Sequence, residues 1–219
     1  MDLAQRYAQA AAGCKKLVAW HGWSESGMIK VFACEAAEGF ETVRSLLRPG
    51  HGTLDWHARL NILFDVASSL RYLNGFDPPL THGNLQTRYL MYNFETAQTQ
   101  LAGSGLGLLR AKAFPEGYDY DDYDTNGFCD PAYSTDPSKV NPKGEVYAFG
   151  FVLLELLTCL EPEKVLESFP ILQSRDPSAK HGLPSLGSFV DISAGWPGIL
   201  IGRLGDIALR CILESEEER

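Results

Sequence analysis

The 219-residue sequence has no apolar run long enough to cross a lipid bilayer. Its most apolar stretch, residues 146–160, is interrupted by Glu155 and is shorter than a membrane-spanning helix. The residues that follow Met1 lack the apolar core of a signal peptide. We therefore expect no membrane insertion, and we predict that the protein is cytoplasmic.

Runs of lysine and arginine are also absent, and the formal net charge is −9 at neutral pH. Because phosphate backbones repel an acidic chain, we predict that the protein binds no nucleic acid. The cysteines lie far apart, without the paired spacing of a zinc site, and this pattern is typical of buried reduced thiols. There are five of them: Cys14, Cys34, Cys129, Cys159 and Cys211.

With 45% hydrophobic and 21% charged residues, the composition is that of a soluble globular domain that buries a core. Apolar periodicity and capping residues predict helices at residues 2–12, 41–47, 55–73, 146–160 and 204–213. Alternating patterns and turn residues predict strands at residues 16–20, 28–33, 89–92 and 99–102. The Gly- and Pro-containing stretches at 103–145 and 170–198 predict loops.

Four segments carry motifs in the order found in protein kinases. Residues 54–73 include Leu-Asp-Trp and Leu-Arg-Tyr-Leu, and residues 79–85 read Pro-Leu-Thr-His-Gly-Asn-Leu. Residues 127–133 read Gly-Phe-Cys-Asp-Pro-Ala-Tyr, and residues 143–158 begin Lys-Gly-Glu-Val-Tyr-Ala-Phe-Gly. Together they resemble the tyrosine-kinase-like group, particularly plant receptor-like kinases and their innate-immunity relatives.

The resemblance implies an α+β, protein kinase-like fold that is mainly the helical C-lobe with a remnant of the N-lobe sheet. It divides the chain into an N-lobe remnant at residues 1–35, with one helix and two strands, and a kinase-like C-lobe at residues 36–219. Kinases hold the ATP phosphates with a glycine-rich loop and a strand lysine. Both would lie upstream of Met1, so we expect the chain to lack most of the N-lobe.

The segment that resembles a catalytic loop departs from the kinase pattern. The resemblance places the catalytic aspartate at Asn84, and an amide cannot accept a proton at neutral pH. The neighbouring arginine is Gly83, so no cation is present there to bind a phosphorylated activation loop. The asparagine that binds a second magnesium ion is Tyr89. His82 keeps its place, and we interpret it as a packed core group.

The segment that resembles the metal-binding loop reads Gly103-Ser104-Gly105. The metal-binding aspartate would be Gly103, which has no side-chain ligand atom. The glutamate late in the activation segment is Ala132, so we expect its usual arginine partner, Arg219, to be unpaired. Glu145 stands where an aspartate is usual and is expected to help hold the lobe together.

These departures predict a catalytically inactive pseudokinase domain that acts as a protein-interaction or allosteric scaffold in signalling. We expect it to be no enzyme and to use no cofactor. The resemblance suggests a protein partner, either an active kinase or a receptor complex. One alternative is a fragment of a longer, ATP-binding kinase-like protein.

Another alternative is a calcium-binding module built on the acidic loop. Asp122, Asp124 and Asn126 match the first half of a calcium loop, but the closing acid would be Tyr133. The same loop offers candidate phosphorylation sites at three tyrosines flanked by acids, Tyr118, Tyr120 and Tyr123.

The two strands predicted near the N-terminus are expected to have uncovered edges and apolar faces. Uncovered edges and apolar patches favour pairing with another chain. Val18, Trp20 and Val31 are therefore candidate contacts with a partner or, through self-association, with a second copy.

Overall fold

The computed structural model describes residues 2–26, 29–35, 38–49, 54–106, 108, 128, 130, 140–168, 186–213 and 215–219. Two sets of predictions fall outside the described residues. They are the candidate phosphorylation sites Tyr118, Tyr120 and Tyr123 and the candidate calcium ligands Asp122, Asp124 and Asn126.

Helix α1, Leu3–Gly13, begins with a capping box, because the side chains of Asp2 and Gln5 each bind the other's backbone N–H group. Its buried face includes Tyr7 and Ala10. The predicted helix at residues 2–12 is confirmed. The helix therefore presents one small-residue face, with a single large aromatic ring, to the rest of the fold.

Two strands, β1 (Trp20–Ser26) and β2 (Ile29–Cys34), form an antiparallel hairpin. The prediction placed the first strand at residues 16–20, and this position is wrong. Residues 16–18 run beside Leu101 instead, where the Val18 N–H donates to the Leu101 carbonyl at 2.9 Å. Val18 is therefore buried, so the expectation that it lies on an uncovered face is also wrong.

A second antiparallel sheet contains β3 (Glu41–Thr42), β4 (Leu90–Asn93) and β5 (Gln98–Leu101), in that order. The predicted hairpin of β4 and β5 is confirmed. The helix predicted at residues 41–47 is shorter, because its first two residues pair with β4. Thr42 then caps helix α2, Val43–Leu46, by accepting the Ser45 N–H.

Helix α3, Trp56–Asn74, begins at its predicted cap Asp55. Helix α4, Pro142–Thr158, starts four residues before the prediction, because Asn141 caps it and Pro142 fits the first turn. The side chains of α4 are buried nearly all round its length, so α4 forms the centre of the core. Two further helices lie among the described residues: α5, Pro162–Ser168, and α6, Gly198–Cys211.

The cysteine side chains that the structure describes are free thiols. Cys211 is buried, and Cys14 and Cys159 are half-buried. Burial of this kind is typical of cysteines that pack as small apolar side chains. Cys34 is exposed at the end of β2, so the prediction of burial is wrong for this residue.

Arg59 ties α3 to the C-terminal end of α4. Its guanidinium group is buried and donates to the carbonyl oxygens of Leu54 and Leu156, each at 2.8 Å. It also forms an ion pair of 2.5 Å with Asp191. Partial burial opposes ionisation of Asp191, but hydrogen bonds from Ser193 and Arg59 lower its pKa to about 2. The arginine thus joins three segments that are distant in sequence.

We predict that Arg59→Met lowers the free energy of unfolding by about 3 kcal/mol, since breaking a buried ion pair leaves the other charge uncompensated. Denaturant unfolding measures the effect. Arg203→Gln changes an exposed arginine on α6 and is the matched control, with an expected change below about 0.5 kcal/mol. Equal stability of Arg59→Met and the wild type would contradict the anchoring role.

Candidate functional site

His82 is fully buried in the loop of residues 79–89, which we call the degenerate loop after the departures predicted above. Its Nε2 atom lies 2.9 Å from the Ala102 carbonyl oxygen, and its Nδ1 atom lies 3.3 Å from the Asn84 backbone nitrogen. A carbonyl can only accept and an N–H can only donate, so the ring is neutral with its proton on Nε2. Burial lowers the pKa of His82 to about 4. The structure therefore supports a packed histidine, not a proton carrier at neutral pH.

The side-chain amide of Asn84 is engaged at both ends. Its Oδ1 atom accepts a hydrogen bond of 2.6 Å from Gln86, and its Nδ2 atom donates to the Tyr89 hydroxyl at 3.4 Å. Sequence reasoning missed Gln86, which is almost completely buried beside Asn84. Three polar side chains of the loop thus bind one another.

The ring of Tyr89 lies over the position of Gly103. The backbone of Gly103 has a φ of 74°, which favours glycine. A Cβ atom built there would lie 3.3 Å from the Tyr89 Cδ1 atom and 3.4 Å from the Leu106 side chain. A carboxylate at residue 103 would therefore compete for space with an aromatic ring. The Tyr89 hydroxyl, the ring's one polar atom, already contacts Asn84.

Tyr7 fills the space beside Gly105 in a similar way. A Cβ atom at Gly105 would come within 2.4–2.6 Å of the Tyr7 ring, and the φ of 80° also favours glycine. The Tyr7 hydroxyl donates to the Thr81 carbonyl oxygen at 2.5 Å. Burial raises the pKa of Tyr7 to about 12. One aromatic side chain therefore fixes α1 against both halves of the site.

Tyr7 was missed by sequence reasoning, although a signal was present. It lies between Ala4 and Ala11 on the face of α1 that is apolar at helical spacing. That pattern indicates burial, but it does not reveal which loop the ring contacts.

Two buried carboxyl groups of α4 accept hydrogen bonds from the degenerate loop. Glu145 accepts the Gly83 backbone N–H at 2.8 Å, and Glu155 accepts the Thr87 hydroxyl at 2.8 Å. Burial raises the pKa of Glu145 to about 8 and that of Glu155 to about 7. The expectation that Glu145 helps to hold the lobe together agrees with this hydrogen bond.

Arg219 is paired, which corrects the expectation that it lacks a partner. Its Nη1 atom lies 2.5 Å from Asp130 Oδ2, and both side chains are buried. Its guanidinium carbon lies 5.4 Å from the centre of the Tyr147 ring. Ala132 has no carboxylate, and Arg219 pairs instead with Asp130, two residues earlier in the sequence. The sequence contained this acid, but only the fold shows that the arginine reaches it.

The remaining surface candidates differ in exposure. Val31 is 56% exposed on β2. Trp20 is half-buried and stacks on Tyr7 with ring centres 6.3 Å apart. Contact of Trp20 and Val31 with a partner stays a prediction.

Among the residues that the structure describes, no group of three or more His, Cys, Asp and Glu side chains is placed to hold a metal ion. None of the described helices is both long enough and apolar enough to span a membrane.

Comparison with known proteins identifies the fold. No family model matches the sequence. A leucine-rich repeat receptor-like serine/threonine-protein kinase of Arabidopsis thaliana is 35% identical over 150 residues, which cover 66% of this chain. The pseudokinase domain of BIR2, an immune regulator of the RLK/Pelle family, has a similar structure, with 25% identity, a TM-score of 0.69 and 99% of this chain covered. The chain has a protein kinase-like fold related to plant receptor-like kinases.

A second solved structure supports the same fold. The kinase domain of maize SIRK1, a sucrose-induced receptor kinase, covers this whole chain with a TM-score of 0.66 at 21% identity. The match spans 64% of the BIR2 chain and 77% of the SIRK1 chain. The match with the Arabidopsis receptor-like kinase spans only 16% of that protein's length. The predicted α+β, kinase-like fold is confirmed.

We predict that Gly105→Ala lowers the free energy of unfolding by about 2–3 kcal/mol, because its Cβ overlaps the Tyr7 ring and its φ is unfavourable. In a Tyr7→Ala background the overlap is gone, so the same substitution should cost only about 1 kcal/mol. Denaturant unfolding of the double-mutant cycle measures this coupling. Additive costs would show that Tyr7 does not pack on this loop.

We also predict that stability falls as the pH rises. The Glu145 pKa of about 8 exceeds its usual value of 4.5, so the stabilising contribution of the protonated acid is complete below pH 4.5 and is lost as the pH rises toward 8. Glu145→Gln keeps an acceptor for Gly83 but cannot ionise. From pH 5.5 to 8 the wild type should lose stability relative to this variant by up to about 1 kcal/mol per pH unit.

The control for this experiment is Glu217→Gln, which removes an exposed carboxylate. Glu155 ionises in the wild type and in both variants, so its contribution cancels in the comparison. Parallel stability curves for the wild type and Glu145→Gln would refute the buried protonated acid.

Proposed function

We propose that this chain is a catalytically inactive pseudokinase domain that acts as a protein-interaction or allosteric scaffold in signalling. The observation that carries the proposal is the closed polar network around Asn84, with the Tyr89 ring lying over Gly103. By resemblance, these positions hold the catalytic and metal-binding aspartates of kinases.

Phosphoryl transfer depends on positioning and on electrostatic stabilisation by metal ions. An amide at residue 84 cannot accept the substrate proton, and glycine at residue 103 has no ligand atom for magnesium. An acid restored at residue 84 would still leave residue 103 without a ligand for magnesium. The Tyr89 ring occupies the space that a side chain at residue 103 would need. These features support a chain with essentially no phosphotransfer rate.

The retained anchors favour a role in contact. Glu145 joins α4 to the degenerate loop, Tyr7 joins α1 to the same loop, and the Arg219–Asp130 ion pair contacts α4 through Tyr147. A fold kept in order after its chemistry is lost is suited to binding a protein. BIR2, whose domain is similar, is a pseudokinase and an immune regulator. We therefore propose an active kinase or a receptor complex as the partner, and a cytoplasmic location.

A second candidate is that the chain is the kinase-like part of a longer, ATP-binding protein. It is favoured by the coverage of the relatives, since the match spans 16% of one receptor-like kinase and 31% of the calcium/calmodulin-regulated receptor-like kinase 2 of Arabidopsis thaliana. The SIRK1 kinase domain is bound to AMP-PNP, so a nucleotide binds to that related fold.

We predict that ATP, with or without magnesium, does not raise the melting temperature of the purified chain, because Gly103 has no side-chain ligand atom for the metal and the Asn84 amide is engaged by Gln86 and Tyr89. A ligand at a hundred times its dissociation constant would stabilise the fold by about 2.7 kcal/mol. For a domain of this size, this corresponds to a rise of roughly 5–10 °C. Differential scanning fluorimetry measures the shift.

Transfer of radiolabelled phosphate from ATP to a generic protein substrate separates the two candidates further. We expect no transfer by the wild type or by Asn84→Asp, which restores only one of the two acids. A thermal shift without transfer would favour the nucleotide-binding candidate. Transfer that disappears in Asn84→Ala would refute catalytic inactivity.

A further inference from the structure

Three arginines lie on two elements of the fold that pack against each other. Arg44 lies on α2, Arg48 follows that helix, and Arg88 lies in the 3-10 turn Thr87–Tyr89, against which α2 packs. The Nη2 atoms of Arg44 and Arg48 approach the same oxygen of Glu161, at 3.8 and 3.7 Å. The fold therefore places Arg88 beside the helix that carries Arg44 and precedes Arg48, in a chain whose net charge is −9.

The carboxylate between these arginines is held only loosely. Both distances to Glu161 exceed a hydrogen bond, and its side chain is 43% exposed. Exposed ion pairs of this kind contribute little stability. Glu161 thus lies between the two arginines as a charge contact, without a hydrogen bond at these distances.

The three cations also repel one another. Burial lowers the pKa of Arg88, and the charges of Arg44 and Arg48 lower it further, while Tyr89 and the buried Glu155 act in the opposite sense. Arg44 and Arg88 have additional interaction partners in the fold, which help to fix their positions. Like charges placed close together are relieved when an anion binds between them.

We propose that Arg44, Arg48 and Arg88 form a binding site for a phosphate monoester carried on a protein segment. A phosphate has three acceptor oxygens and a charge of about −1.5 to −2, so it can contact three guanidinium groups at once. A carboxylate has only two oxygens and one charge. Arginine forks match phosphate oxygens in pairs, which makes these contacts strong and directional.

The surroundings favour a phosphate on a peptide over a free ion. Arg48 is 62% exposed and borders a pocket of about 520 Å³ that Leu46 and Ile192 also line. Ile192 is 91% exposed, so residues next to the phosphorylated one would find an apolar surface within reach. The inference goes beyond the proposed scaffold, because such binding does not depend on the loss of phosphotransfer.

The test uses the full chain and a fluorescein-labelled peptide, Gly-Leu-Gly-phosphoserine-Gly-Leu-Gly, with fluorescence anisotropy as the readout. We expect the unphosphorylated peptide to bind at least about tenfold more weakly. Arg48→Gln/Arg88→Gln should weaken phosphopeptide binding by about tenfold or more, and Arg203→Gln should leave it unchanged. Glu161→Gln should tighten it several-fold, because a competing carboxylate is removed.

A melting curve shows whether the double arginine variant folds. If it does not fold, the tighter phosphopeptide binding expected of Glu161→Gln still tests the proposal, because that variant keeps all three arginines. Equal binding of the phosphorylated and unphosphorylated peptides would overturn the proposal, as would wild-type affinity in the folded double variant. Competition by inorganic phosphate as effective as by the phosphopeptide would overturn the assignment to a protein segment. None of these outcomes depends on the ATP experiments above.

Discussion

The hydrogen bond between the buried Glu145 carboxyl and the Gly83 backbone N–H is the contact on which the site depends. A loop that is buried must satisfy its backbone groups within the protein, since no bulk water reaches them. Glu145 of α4 accepts a hydrogen bond from the loop, and Tyr7 of α1 donates one to the Thr81 carbonyl oxygen. His82 forms hydrogen bonds with the backbone of Ala102 and of Asn84. The pKa values of these three groups keep each of them neutral at neutral pH, so none of the three adds an uncompensated buried charge to the loop.

The replacements in the two degenerate segments depend on one another. Gly103 and Gly105 both adopt backbone conformations that favour glycine, and an aromatic ring lies against each of them. Tyr89 covers the first and Tyr7 the second, so the space beside both glycines is filled. Protein interiors are close-packed, and an empty cavity beside either glycine would lower the stability of the fold. The two glycines and the two rings therefore form one continuous packing arrangement.

The sequence predicted local structure well where the signal is local. The capping box of α1, the Asp55 cap of α3 and the apolar run of α4 depend on neighbouring residues, and all three helices were found. Failures came from long-range contacts. Val18 is buried because Leu101 pairs with its segment, and Arg219 is paired because the fold brings Asp130 to it.

The site shows the same division. Motif order located His82, Asn84 and Gly103, but no spacing rule linked them to Tyr7, 75 or more residues earlier in the chain. The three arginines beside the loop were missed for the same reason, since Arg88 lies far in sequence from α2.

The turn Thr87–Tyr89 connects the site around Asn84 and Gly103 with the proposed phosphate site. Glu155 accepts the Thr87 hydroxyl, and Thr87 begins the 3-10 turn that carries Arg88. At the other end of that turn, Tyr89 is fixed by Asn84 and by packing against Gly103. Arg88 therefore stands on a turn that is held at both ends by residues of the degenerate loop and α4. A binding site gains affinity when its groups are positioned in advance. The contacts that fix the degenerate loop are therefore also the contacts that would hold Arg88 ready for an anion.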